Sequence, residues 1–154
     1  MKWIAILDLA VAGYLVGANV WFFFLQSPAL VAAMGREKFV PIQMRLTKLL
    51  FRSLSAAAVA LAVLALIGGG SVAIAGALLA AGAALVAQVA ILPRAFRAGG
   101  KGRAETMAAG GDKSVAKFAS EGAGPSATFW HRTVVVFVVL ILAGALLNMS
   151  GTLR

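Results

Sequence analysis

No cysteine occurs in the 154 residues, so disulfides, thiolate metal sites and thiol nucleophiles are excluded. Histidine is nearly as scarce: His131 is the single one, too few for a His-rich metal cluster. Charge is thin at 12% of residues, with five acids against fourteen Lys and Arg. No hydrolase elbow, zinc-protease helix motif, phosphate-binding glycine loop or paired-carboxylate site is present. Neither an enzymatic activity nor a cofactor is therefore expected. The same scarcity of charge leaves long apolar runs in a chain that is 62% hydrophobic, more than a soluble domain of this size could hide. The composition is that of an integral membrane protein.

A bilayer core of ~30 Å takes ~20 helical residues to cross, which gives this chain room for four spans. The expected architecture is all-α, a four-helix membrane bundle forming a single domain over 1–154, with spans at about 3–26, 41–67, 71–92 and 127–148. Span 1 carries Trp3 near one interface and Trp21-Phe22-Phe23-Phe24 near the other, as amphipathic rings prefer. Its apolar run reaches Gln26 with no small-x-small cleavage site, so it reads as a retained helix rather than a signal peptide. Ser27-Pro28 fits an N-cap followed by proline at the first helical position, opening a short interfacial helix that Gly35 closes. Pro41 begins span 2, which stops at Gly68-Gly69-Gly70; Pro93 ends span 3. The polar stretch from Arg94 to Ser126 holds one amphipathic turn, capped by Asp112 and running from Lys113 to Ser120.

A net charge of +9 would suggest nucleic acid in a soluble protein, but here topology supplies the cause, and no nucleic-acid partner is expected. Twelve of the fourteen cations fall in or next to the loops 27–40 and 93–126, leaving only Lys2 and Arg154 at the other side. By the positive-inside rule both loops are cytoplasmic and both termini are not, in an inner (plasma) membrane of bacterial type.

Between lipid-bathed helices, small residues and polar contacts must do the holding. Helix packing is expected at Gly76, Ala80 and Ala84 of span 3 and at Gly13 and Gly17 of span 1. Asp8, Asn19 and Gln26 fall within about 20° of one line on a 3.6-residue helix, roughly opposite the glycine pair. Asp8 is the one acid inside a span. Near the interface it is within reach of Asn148, Ser150 or Arg154, and it reads either as a structural anchor or as a group that handles a proton or cation.

At the opposite, cytoplasmic end stand Gln26, Gln43, Arg45, Lys48, Arg52, Gln88, His131 and Arg132. One reading has the basic members snorkelling to anionic lipid headgroups. The other has all eight lining a cavity for an anionic or amphipathic molecule, with Trp21 or Trp130 as an aromatic wall. A lone His131 would need a second subunit or weak ligands such as Met34, Met44 and Met107 to hold haem or a metal, so no metal site is expected.

Two stretches carry a family likeness. The run Gly17-Ala18-Asn19-Val20-Trp21-Phe22-Phe23-Phe24, followed by Phe39-Val40-Pro41-Ile42-Gln43 and Leu49-Leu50-Phe51, resembles the signature region of the transmembrane-protein-205-like family. Phe129-Trp130-His131-Arg132 through Asn148 is similar to that family's final span. The chain departs from the family in having Arg132 and Thr133 where a glycine and serines are usual, and Phe51-Arg52 near a usual proline and tyrosine. The resemblance implies four helices with a long third loop, and a membrane role without a settled biochemical activity.

Two functions follow as expectations. The first is a small non-enzymatic membrane protein that binds or moves an amphipathic or ionic solute. The second is an accessory subunit of a larger membrane complex, docking through its small-residue faces. Membrane lipids are partners in both, and a homo-oligomer is compatible with the first.

Overall fold

The computed structural model describes residues 2–98 and 125–153. The expected amphipathic turn at 113–120 lies outside the described residues, as does Arg154. Helix α1, Lys2–Val20, runs through a π-helical segment, Trp21–Gln26, into α2, Ser27–Gly68. Helix α3, Ser71–Val86, continues through a second π-helical segment, Ala87–Ile91, and stays helical over 92–98. Helix α4 is Pro125–Thr152. Among the described residues, four stretches are long and apolar enough to cross a membrane: Lys2–Gly35, Ile42–Gly68, Ser71–Ala98 and Phe129–Thr152.

The helices form a four-membered ring in which α1 packs on α2 and α4, and α3 on α2 and α4. Large side chains such as Trp3, Phe24, Leu66, Val89 and Phe129 project outward, the side that lipid would cover. Inside, a few bulky residues, Leu15, Phe51, Leu54, Leu61 and Ile141, are set among buried alanines. Phe51 meets Phe23 edge to face at 6.5 Å. Hydroxyls tie neighbouring helices together: Tyr14 donates to Ser53 Oγ at 3.0 Å, and Ser55 to Ala84 O at 3.2 Å.

The tightest interface is α3 against α4, where backbones meet with no side chain between them. A Cβ on Gly144 would stand 2.6 Å from Ala80 N, and one on Gly76 2.6 Å from Gly144 O. Gly151 repeats the device on Ala73, and Ala80 and Ala84 are fully buried alongside. The expected packing role therefore fits Gly76, Ala80 and Ala84, with Gly144 and Gly151 added from α4. Gly13 and Gly17 are exposed, with nothing within 4 Å of the position of a Cβ, so among the described residues they pack against no helix.

The prolines act differently from the sequence expectation. Pro28 does not open a separate helix and Pro93 does not close one. Each lacks an N–H and its ring crowds the carbonyl four residues back, which an α-helix could not absorb without a break. Here the preceding turn widens instead: Ser27 N–H bonds to Phe22 O and Leu92 N–H to Ala87 O, each five residues back. The Ser27 hydroxyl donates to the same Phe22 carbonyl at 2.6 Å. The segment 27–34 is thus helical as expected, but as the continuation of the first span. The break comes at Gly35, whose φ of 75° and ψ of 160° suit a residue without a Cβ. Lys2–Gly35 is 34 residues, ~50 Å of helix at ~1.5 Å per residue, enough to carry its last turns past the hydrocarbon.

Candidate functional site

Along α1 and into the π-helical segment that follows it, the buried positions Asp8, Ala12, Leu15, Asn19 and Phe22 follow a four-three-four-three spacing and face the bundle. The polar line seen in the sequence is therefore the inward line. Asp8 is only 3% exposed. Six residues from Lys2, it lies ~9 Å along the helix; one turn nearer the N-terminus, Ile4 stands close to the end of α2, 3.1 Å from where a Cβ on Gly68 would be.

Asp8 meets two residues from the far end of the chain. Asn148, fully buried on α4, donates through Nδ2 to Ala73 O at 3.2 Å and to Asp8 Oδ1 at a long 3.4 Å. Thr152, one turn further along α4, lies with Oγ1 2.6 Å from Asp8 Oδ2 and 3.0 Å from Asn148 O. A hydroxyl has one proton, so those two contacts cannot both be full hydrogen bonds donated by Thr152. Asn148 Oδ1 is buried and has no partner. Among the described residues no cationic side chain pairs with Asp8.

The close α3/α4 interface builds this node. Gly144, Asn148 and Gly151 lie on one face of α4, against Ala80, Gly76 and Ala73 of α3. Because no side chain intervenes at Gly76, the Asn148 amide can reach the Ala73 carbonyl. Asn148 thus meets Asp8, one of the three contacts the sequence offered. Ser150 instead donates to Leu147 O at 2.8 Å on the exposed side. Thr152 is the member that sequence reasoning missed; its signal is the four-residue spacing from Asn148, which puts both on one helix face.

Asn19 is fully buried further along the same line. Its Nδ2 donates to Leu15 O at 2.7 Å within its own helix, and its Oδ1 has no partner.

The eight residues expected at the opposite end differ in exposure and in partners. Arg45, Lys48, Arg52, His131 and Arg132 are exposed, and Lys48 rests its ammonium over the Phe96 ring, 5.1 Å from its centre. Gln43 donates to Ser27 Oγ at 3.0 Å, holding the widened turn of α1 against α2. Gln26 and Gln88 are half-buried, one in each π-helical segment, and Gln88 Oε1 has no partner. No hydrogen bond joins any two of the eight. Trp21 faces outward, and Trp130 is half-buried against the edge of Phe129 at 5.3 Å. Among the described residues no cluster of three His, Asp or Glu side chains could hold a metal ion.

Residues 10–103 match the family described as a domain of unknown function, DUF4149. No curated protein and no solved structure matches the chain.

Proposed function

The chain belongs to the DUF4149 family, a domain of unknown function, and we propose that this small multi-pass membrane protein binds or moves a small cation at its Asp8 end, without enzymatic chemistry. The supporting observation is the buried Asp8 carboxylate, held by Asn148 and Thr152 from α4 with no cationic side chain of the described residues to balance it. Removing a carboxylate from water without a counter-charge is costly, and an acidic side chain in a membrane span is a candidate ion or proton site for that reason. An ionic solute is favoured over an amphipathic one because the basic and aromatic side chains at the other end stand on the outer surface.

Reconstitution into liposomes tests this reading. Imposed gradients of H⁺, Na⁺ or K⁺ should dissipate faster with the protein than without, or the cation should bind, and Asp8→Asn should abolish the effect. Cation binding and flux that are both independent of Asp8 would refute it.

The reading includes an orientation, with loops 27–40 and 93–126 cytoplasmic and both termini outside, in an inner membrane of bacterial type. It is supported by the one-sided placement of Lys and Arg. The resemblance to the transmembrane-protein-205-like family is supported by the stretches 17–24 and 39–51, which fall inside the matched residues, whereas 129–148 lies beyond them.

A role as accessory subunit is favoured by one separate observation. Gly13 and Gly17 make a shallow exposed groove on α1 that no helix among the described residues fills, a surface suited to a helix of another subunit. Stoichiometric foreign subunits retained through mild-detergent purification, and lost with Gly13→Leu, would support that role.

A further inference from the structure

We infer that the cation is a dehydrated monovalent metal ion of sodium size, ligated by Asp8 Oδ1, Ala73 O and the side-chain Oδ1 of Asn148, with Thr152 orienting the carboxylate. This deepens the proposed cation reading and rests on it. Two observations on one fully buried side chain carry it: the distances from the Asn148 amide to Asp8 and Ala73, and the unpartnered Oδ1 at the other side of that amide.

The terminal atoms of an asparagine amide exchange places when the group turns over about its last torsion. Nδ2 now lies 3.4 Å from Asp8 Oδ1 and 3.2 Å from Ala73 O. The first distance is long for a hydrogen bond. It suits two oxygens on one metal ion, since ligands at ~2.4 Å in a right-angled shell are ~3.4 Å apart. Turning the amide over would bring Oδ1 to the place of Nδ2, 3.4 Å from the Asp8 carboxylate oxygen and 3.2 Å from the Ala73 main-chain carbonyl oxygen. These are hard ligands, suited to a hard cation.

Charge and size narrow the class. One carboxylate balances one positive charge, whereas a divalent ion would leave an excess charge in a low-dielectric site. A magnesium-sized ion, with ligands at ~2.1 Å, would need neighbouring oxygens ~3.0 Å apart, about 0.2 to 0.4 Å closer than these. The ring of acceptors is supplied by three helices, so binding would fasten α1 to the α3/α4 pair. Thr152 reaches the other carboxylate oxygen and fixes the plane of Asp8, which makes it a positioning residue.

The test uses the full-length protein in detergent at constant ionic strength, with choline chloride replaced stepwise by NaCl, KCl or MgCl₂. Two readouts are taken: unfolding temperature by tryptophan fluorescence, and line broadening of the sodium-23 resonance. Sodium should raise the unfolding temperature and broaden the resonance. Potassium and magnesium should require at least tenfold higher concentration for the same shift. Asp8→Asn, which keeps the shape and removes the charge, should abolish both sodium effects, and Asn148→Ala should weaken them at least tenfold. Thr152→Ser should retain them, and Gly13→Ala should leave them unchanged.

Equal behaviour in sodium and choline would overturn the inference. If proton flux or binding in liposomes still depended on Asp8, the broader cation reading would survive that result; if it did not, both would fall. Sodium effects that persist in Asp8→Asn would also overturn the inference, because the ion would then be bound elsewhere.

Discussion

Replacing Gly144 with alanine tests the contact on which the site is built. The added Cβ would stand 2.6 Å from Ala80 N and 2.7 Å from Gly76 O, about 0.8 Å inside the 3.4 Å at which ordinary contact begins. Neither neighbour is a flexible side-chain end; both are main-chain atoms of a helix with its own hydrogen bonds intact. The strain can be relieved only by moving α3 and α4 apart by most of that distance. Overpacking of this kind costs ~1–3 kcal/mol, and here it also removes close main-chain contacts that stand in for hydrophobic driving force between lipid-bathed helices. Separation would stretch the 3.2 Å bond from Asn148 to Ala73 O, one turn away, so the Asp8 node should loosen with it. The assay is SDS-driven unfolding in mixed micelles followed by tryptophan fluorescence, with Gly13→Ala as the matched control. Gly13 has nothing within 4 Å and, in a helix interior, alanine is favoured over glycine by up to ~1 kcal/mol, so the control should be neutral or stabilised. If Gly144→Ala unfolds at the same SDS fraction as Gly13→Ala, the packing argument is wrong.

Other outcomes follow from single contacts. Ser27→Ala should lower stability by ~1 kcal/mol through loss of the bonds to Phe22 O and from Gln43, and adding Gln43→Leu should cost little more; full additivity in that double-mutant cycle would show that the two side chains act separately. Asn19→Leu removes a buried oxygen with no partner and should leave stability unchanged or raise it by up to ~2 kcal/mol, whereas a clear fall in the SDS midpoint would mean that Asn19 makes a needed contact. Because the chain has no cysteine, Ser120→Cys and Leu153→Cys each report orientation in intact cells: a membrane-impermeant maleimide should label position 153 and not 120, and the reverse pattern would invert the topology.

Much of the architecture is set by local sequence. Long runs such as Val59 to Ile67 and Val134 to Leu147 must be helical in lipid, because every backbone N–H and C=O needs a partner and the helix supplies it within the segment. The spacing of Asp8, Asn19 and Gln26 likewise put one polar line on α1, and the structure turns the Asp8 and Asn19 positions of that line inward. A carboxylate has one low-cost side in an apolar helix, the side that finds polar partners.

Three matters were decided only in three dimensions. Which small residues pack was one: Gly13 and Gly17 look in sequence like Gly76 and Gly144, but only the latter pair lies at a crossing of two helices. A lipid-facing surface is as apolar as a buried one, so periodicity alone does not separate them. The effect of Pro28 and Pro93 was another. A proline forbids one hydrogen bond, but whether the chain stops or widens to five-residue spacing depends on neighbours such as Gln43, which holds Ser27 in place. The last was the Asp8 node itself, since Asp8 and Thr152 are 144 residues apart in the chain and meet only because α1 and α3 both pack against α4.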